Sequence, residues 1–137
     1  MILVDTGVLL SLQNRRDRDH KRVQECYEAH AREAFFLHAL ILTEAWYLCE
    51  SRIGVDAARA LAASVSKGEL GLLPVEGTDV GAALAIERRY SELQLGLTDA
   101  MSLALCVKHG IDTVFTLDRR DFVPFRFGRG QSLTILP

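Results

Sequence analysis

The sequence has few of the features that characterise secreted or membrane-embedded proteins. It contains only 3 cysteines in 137 residues, and Cys26, Cys49 and Cys106 lie far apart. An odd number of widely spaced cysteines supplies neither a disulfide framework nor paired zinc ligands. The longest apolar stretch, residues 34–43, is interrupted by His38 and is much shorter than the ~18 residues of a membrane span. The N-terminus, residues 1–5, has no cationic leader of the kind that begins a signal peptide. We therefore expect a soluble, cytoplasmic protein that does not enter a membrane.

The chain also lacks the excess of positive charge that is common in nucleic-acid-binding proteins. It has 16 Lys and Arg against 18 Asp and Glu, which gives a formal net charge of −2. Net charge does not describe distribution, however, because basic residues crowd near both ends of the chain. Arg15 and Arg16 belong to the first cluster, and Arg119 and Arg120 belong to the second. These four are candidate phosphate contacts, although such clusters also suit a solvated helix face or a polar loop.

Short apolar runs alternate with amphipathic helical patterns along the chain. The runs predict strands at 2–4, 35–37, 70–75, 113–117 and 132–136. The periodic segments predict helices at 8–12, 19–34, 42–52, 55–67, 78–93 and 98–110, with Thr78 and Thr98 as N-caps. This alternation predicts an α/β fold, with a mainly parallel central sheet of four to five strands and helices on both faces. We expect one domain covering residues 1–137.

Acidic residues lie at the same end of several of these segments. Asp5 and Asp118 directly follow the first and fourth strands, and Glu44 follows the second strand at the start of its helix. Asp99 opens the helix that leads into the fourth strand. Because right-handed crossovers make the strands parallel, all four carboxylates are expected at the carboxyl edge, where open α/β sheets bind ligands.

Four carboxylates close together repel one another unless cations neutralise them. An all-oxygen set of ligands favours Mg²⁺ or Mn²⁺, whereas zinc would favour His or Cys. Each acid alone also suits a turn or a helix start, but four acids from separate segments at one edge are harder to explain in that way. We predict that Asp5 and Asp99 are inner metal ligands. Glu44 and Asp118 would complete the site or orient water.

Four segments resemble the acidic signatures of the PIN domain in the family's order: ILVDTG, LTEAWYL, LTDAMSLALC and VFTLDRRDF. The resemblance spans nearly the whole chain. It implies an endoribonuclease that depends on Mg²⁺ or Mn²⁺, with Thr6, Thr116 and Asp121 supporting the catalytic residues Asp5, Glu44, Asp99 and Asp118. The compact length is similar to that of VapC-type toxins of toxin–antitoxin systems. This similarity implies an RNA substrate, a homodimer and inhibition by a small cognate antitoxin.

Two acidic residues of TLDRRDF compete for the position nearest the strand. Asp118 is predicted to reach the metal, because a strand ending near Leu117 would bring it beside Asp5. Asp121 is predicted to accept backbone N–H bonds within the turn and to anchor the loop.

Two other classes of function use a similar arrangement of acids. A phosphoryl-transfer enzyme or a receiver-like domain also collects carboxylates at this edge. The former usually has Asp-x-Asp after the first strand and the latter an acidic pair before it, whereas Asp5 is followed by Thr6 and Gly7. A non-catalytic module would keep the fold and a metal without cleaving anything. A nuclease assay with Mn²⁺ separates both alternatives from the ribonuclease.

Overall fold

A parallel sheet of five strands forms the centre of the protein. The computed structural model describes all 137 residues. The strands are β1 (Ile2–Val4), β2 (Phe35–His38), β3 (Gly71–Leu73), β4 (Thr113–Phe115) and β5 (Thr134–Leu136). They lie in the order β3-β2-β1-β4-β5, and every neighbouring pair is parallel. The predicted α/β class and parallel sheet are confirmed.

Seven α-helices and one short 3₁₀ helix, Ser91–Leu93, connect the strands. The α-helices are α1 (Thr6–Gln13), α2 (His20–Ala29), α3 (Ala39–Arg52), α4 (Val55–Ser66), α5 (Gly77–Arg89), α6 (Leu97–His109) and α7 (Arg119–Phe122). The chain moves outward from β1 to β3 and then returns to β4 on the other side of β1. Right-handed crossovers therefore place α1–α4 on one face and α5 and α6 on the other. Contacts agree with this division, because α1, α3 and α4 pack together while α5 packs on α6.

Helix α6 is the most deeply buried helix. All seven residues from Ala100 to Cys106 are buried, because α6 packs between the sheet and α5. A helix that is apolar nearly all round belongs in a core rather than at a surface. Its first turn carries Asp99, so the packing of α6 fixes that residue against the sheet. None of the helices is long and apolar enough to cross a membrane.

The predicted N-cap of α5 was wrong. Glu76, not Thr78, caps the helix, and the side chain of Asp79 returns a 2.8 Å bond to the backbone N–H of Glu76. Two reciprocal bonds satisfy two free amides, which a single threonine hydroxyl does not do. Lys108 of α6 lies 3.0 Å from both carboxylates and neutralises them. Thr78 therefore lies inside the first turn.

Other predicted boundaries differ from the structure by a few residues. The N-cap of α6 is Gly96 rather than Thr98. Helix α3 begins at Ala39, so Glu44 lies in its second turn rather than at its start. Strand β4 ends at Phe115, and the unpredicted helix α7 follows. The strands are shorter than the apolar runs because buried residues continue into the turns beyond the sheet.

Gly71 makes close contact with its neighbouring strand. It pairs with Phe36 across β2 and β3, and a methyl group at Gly71 would lie 2.5 Å from two ring carbons of Phe36. We predict that Gly71→Ala lowers the free energy of unfolding by about 1–3 kcal/mol, because the ring must move. Gly81→Ala is the matched control. It lies in α5 with nothing within 4 Å of the added methyl, so it should raise stability by about 0.4–1 kcal/mol. Urea unfolding measures both, and an undiminished stability of Gly71→Ala would contradict the prediction.

Candidate active site

A cleft of about 460 Å³ opens at the carboxyl edge of the sheet. Strands β2 and β4 flank β1 on opposite sides, so the strand order switches there. Such a switch point is the usual ligand site of an open α/β sheet. The cleft is lined by Asp5, Thr6, Gly7, Leu10, Glu44, Leu48, Arg52, Asp99, Leu117 and Asp118. The structure thus brings the four predicted catalytic acids into one cleft.

Two threonines connect three of these acids through hydrogen bonds. Asp5 caps α1, and its Oδ1 accepts the backbone N–H of Thr6 at 2.8 Å. Its Oδ2 accepts the hydroxyl of Thr116 at 2.7 Å. The Thr6 hydroxyl donates to Glu44 at 2.6 Å, and the Thr116 hydroxyl accepts the backbone N–H of Asp118 at 3.0 Å. Because each carboxylate oxygen has a second lone pair, Asp5 is held in place and can still accept another ligand.

The cleft concentrates negative charge. Burial, the charge of Asp5, a hydrogen bond and charge from Asp121, and the charge of Glu44 together raise the pKa of Asp99 to about 8. Burial also raises the pKa of Asp5 although its hydrogen bonds oppose this, and Glu44 and Asp118 add to the rise. No three of the acids are close enough to share one ion in this arrangement.

Asp118 and Asp121 differ in exposure and in partners. Asp118 is exposed, lines the cleft and accepts the backbone N–H of Arg120 at 3.1 Å, which caps α7. Asp121 is buried and accepts Nε of Arg120 at 2.9 Å. The backbone bond expected of Asp121 is therefore made by Asp118. Asp121 is not among the residues that line the cleft, but its hydrogen bond and charge raise the pKa of Asp99.

The predicted basic residues do not share one location. Arg119 and Arg120 are exposed on α7 directly after Asp118, and Arg120 is paired with Asp121. Arg15 and Arg16 are exposed in the turn after α1 and do not line the cleft. Helix α1 has 8 residues, so it carries the chain about 12 Å away from Asp5 before that turn.

Arg52 lines the cleft and was not among the predicted residues. It ends α3, and Glu44, Leu48 and Arg52 lie at intervals of four residues along that helix. Residues four apart share a helix face, so the spacing from Glu44 was the signal in the sequence.

A buried histidine stabilises the start of α6. The Ser102 hydroxyl donates to the carbonyl of Thr98 at 3.0 Å, and Nε2 of His38 lies 2.9 Å from the same hydroxyl. His38 is therefore the donor to Ser102. Burial lowers the pKa of His38 to about 4, which keeps the ring neutral near pH 7. This link from β2 to α6 holds the turn that carries Asp99.

A comparison with known families decides the classification of the chain. The family model described as the PIN domain matches residues 2–126. The chain belongs to the PIN domain family. The predicted resemblance to the PIN domain is thereby confirmed.

Several proteins are similar to this PIN domain over nearly its whole length. Ribonuclease VapC26 of Mycobacterium tuberculosis is 29% identical over 136 residues, which cover 99% of this chain and 100% of that protein. The crystal structure of VapC20 from Mycobacterium tuberculosis, described as a Sarcin-Ricin loop cleaving toxin, has a TM-score of 0.80 and 25% identity, with 88% of this chain and 92% of that chain covered. VapBC2 from Rickettsia felis, bound to a promoter DNA fragment, shares the fold, with a TM-score of 0.69, 12% identity and coverage of 98% and 97%.

The raised pKa of Asp99 predicts how the stability of the metal-free protein depends on pH. The folded pKa of about 8 exceeds the ordinary value of 3.8, so stability is lost as the pH rises from about 4 to about 8. Asp99→Asn should remove this loss. At about pH 8 the variant should be more stable than the parent by only about 1–3 kcal/mol, because solvent in the open cleft screens part of the repulsion between the acids.

Urea unfolding in EDTA at about pH 4 and about pH 8 measures this difference. Asp56→Asn is the control, because Asp56 is exposed on α4 and lies outside the cleft. A stability gain for Asp99→Asn that does not grow between the two pH values would contradict the assignment.

Proposed function

We propose that this protein is a metal-dependent endoribonuclease and the toxin of a toxin–antitoxin pair. The convergence of Asp5, Glu44, Asp99 and Asp118 in one cleft carries the proposal. The similarity to ribonuclease VapC26 over the whole chain supports cleavage of RNA, and the VapC20 structure is that of a toxin.

The chemistry of the cleft suits Mg²⁺ or Mn²⁺. Its acidic ligands are all oxygens, which hard cations prefer. Mg²⁺ commonly uses one or two carboxylates together with water and substrate phosphate, so it does not need three carboxylates packed closely together. The raised pKa values of Asp5 and Asp99 mark the place where a cation would be most favourable, because it would stabilise both ionised carboxylates. When bound, the cation lowers the pKa of a coordinated water and neutralises charge on the phosphodiester.

The residues of the cleft have different roles in this mechanism. Asp5 and Asp99 would bind the cation directly, while Glu44 and Asp118 would complete the site or orient water. Thr6 and Thr116 hold the acids through the hydrogen bonds described above. Asp121 positions α7 through Arg120.

Four exposed arginines outside the cleft bind the RNA backbone. Arg119 and Arg120 follow Asp118, so they reach phosphates beside the cleft. Arg15 and Arg16 lie beyond α1 and would contact only RNA that extends past that helix.

We infer a small cognate antitoxin as the protein partner and a homodimer as the state of the toxin. A VapBC complex shares the fold, which supports the antitoxin. All three cysteines are free, which agrees with a reduced, cytoplasmic location.

The test of this function is RNA cleavage by purified protein. We expect cleavage with Mg²⁺ or Mn²⁺ and none in EDTA, because the carboxylates of the cleft need a cation to bring a phosphodiester to them and to activate water. Asp5→Asn should remain folded and lose cleavage at least about a hundredfold. Expression of the parent alone should arrest bacterial growth, whereas expression of Asp5→Asn should not. Undiminished cleavage in EDTA, with contaminating nuclease excluded, would refute the metal mechanism, and equal growth with both proteins would refute the toxin role.

Asp118 and Asp121 should respond differently to substitution. Asp118→Asn should weaken Mn²⁺ binding about tenfold or more with little change in stability, because Asp118 is an exposed carboxylate of the cleft. Asp121→Asn should lower the free energy of unfolding by about 1 kcal/mol, because it loses a charged bond to Arg120. Mn²⁺ titration and urea unfolding of both variants measure these effects. A greater loss of Mn²⁺ affinity in Asp121→Asn than in Asp118→Asn would reverse the assignment.

A further inference from the structure

We propose that Arg52 binds a backbone phosphate of the RNA next to the scissile one, so that α3 sets the path of the single strand through the cleft. The inference rests on the proposed ribonuclease function and deepens it by naming a residue that positions the substrate.

The geometry of α3 separates Arg52 from the metal-binding acids. Glu44, Leu48 and Arg52 line the same cleft at intervals of four residues. Eight residues of α-helix span about 12 Å, so Arg52 lies about two turns beyond Glu44. This offset along α3 separates the Cα atoms of the two residues, so a strand of RNA whose scissile phosphate lies at the acids would bring a neighbouring phosphate past Arg52.

Arg52 is also the only cationic residue among those lining the cleft. It is exposed and forms no ion pair. By contrast, Lys108 and Arg120 are each held by carboxylates. A basic residue in the last turn of a helix is favoured by the helix dipole wherever it points. The dipole does not explain why this one lines an acidic cleft, whereas a phosphate ligand does, since guanidinium binds phosphate through two parallel hydrogen bonds.

Two leucines form an apolar part of the cleft wall. Leu48 lies on α3 between Glu44 and Arg52, and Leu10 of α1 also lines the cleft. Such a surface suits a ribose or a base and offers nothing to a second ion. The acids, the leucines and the unpaired Arg52 therefore suit three successive parts of a single strand. The acids would hold one phosphate through the cation, the leucines would contact the nucleoside, and Arg52 would bind the next phosphate.

The experiment measures binding of a short, fluorescently labelled single-stranded RNA of mixed sequence by fluorescence anisotropy in Mg²⁺. It uses Asp5→Asn protein, so that the RNA stays intact. Adding Arg52→Gln should raise Kd about tenfold. The slope of log K against log salt concentration should become shallower by about 0.7, the value for one phosphate contact on single-stranded nucleic acid. Arg52→Lys should keep the slope and recover part of the affinity, because it retains the charge without the planar fork.

Arg59→Gln is the matched control, since Arg59 is an exposed arginine of α4 outside the cleft. It should leave Kd and the salt slope unchanged, and the urea midpoints of all variants should confirm folding. In the cleaving parent, Arg52→Gln should raise KM and leave kcat nearly unchanged, as expected for a residue that binds ground state and transition state alike.

An unchanged Kd and salt slope in Arg52→Gln, with RNA bound and cleaved normally by the parent, would overturn the role of Arg52 alone. A loss of kcat without a change in KM would also overturn it. A parent protein that neither binds nor cleaves RNA would overturn the proposed function and this inference together.

Discussion

The position of Asp5 is the constraint on which the site depends. Asp5 follows the central strand of the sheet, is only 8% exposed, and has both oxygens held by hydrogen bonds. A buried carboxylate is costly unless hydrogen bonds or a cation compensate it. Thr6 and Thr116 supply part of this compensation and orient the carboxylate at the same time. Through these two threonines Asp5 is connected to Glu44 and Asp118, so one buried acid organises the cleft.

The rest of the fold brings other acidic side chains close to Asp5, although these carboxylates repel one another. Helix α6 is buried along seven successive residues, and this packing keeps Asp99 near Asp5 although burial and neighbouring acids raise its pKa to about 8. The bond from His38 to Ser102 fixes the same turn from the sheet side. The apolar core thus offsets an unfavourable concentration of charge at one edge. A protein that keeps such charge together is suited to bind a cation, as the proposed mechanism requires.

Charge also explains the distribution of basic residues around the cleft. Arg120 compensates the buried Asp121, and Lys108 compensates the acids at the start of α5. Arg52 has no such partner, although it lines the most acidic part of the molecule. The chain therefore neutralises its structural acids with its own cations and leaves the acids of the cleft for a ligand.

The sequence by itself determined the strands, their parallel direction and the four acids that meet at one edge, because alternation of strands and helices together with right-handed crossovers settles which ends of the segments coincide. It did not determine where helices begin: the preference of threonine for N-caps predicts neither the reciprocal bonds of Glu76 and Asp79 nor the start of α6 at Gly96, which has no side-chain cap. Only the tertiary structure decided the partners of Asp121 and the presence of Arg52 in the cleft. The bond from Thr116 to Asp5 joins residues 111 positions apart. Such contacts arise when distant segments pack, so no local pattern contains them.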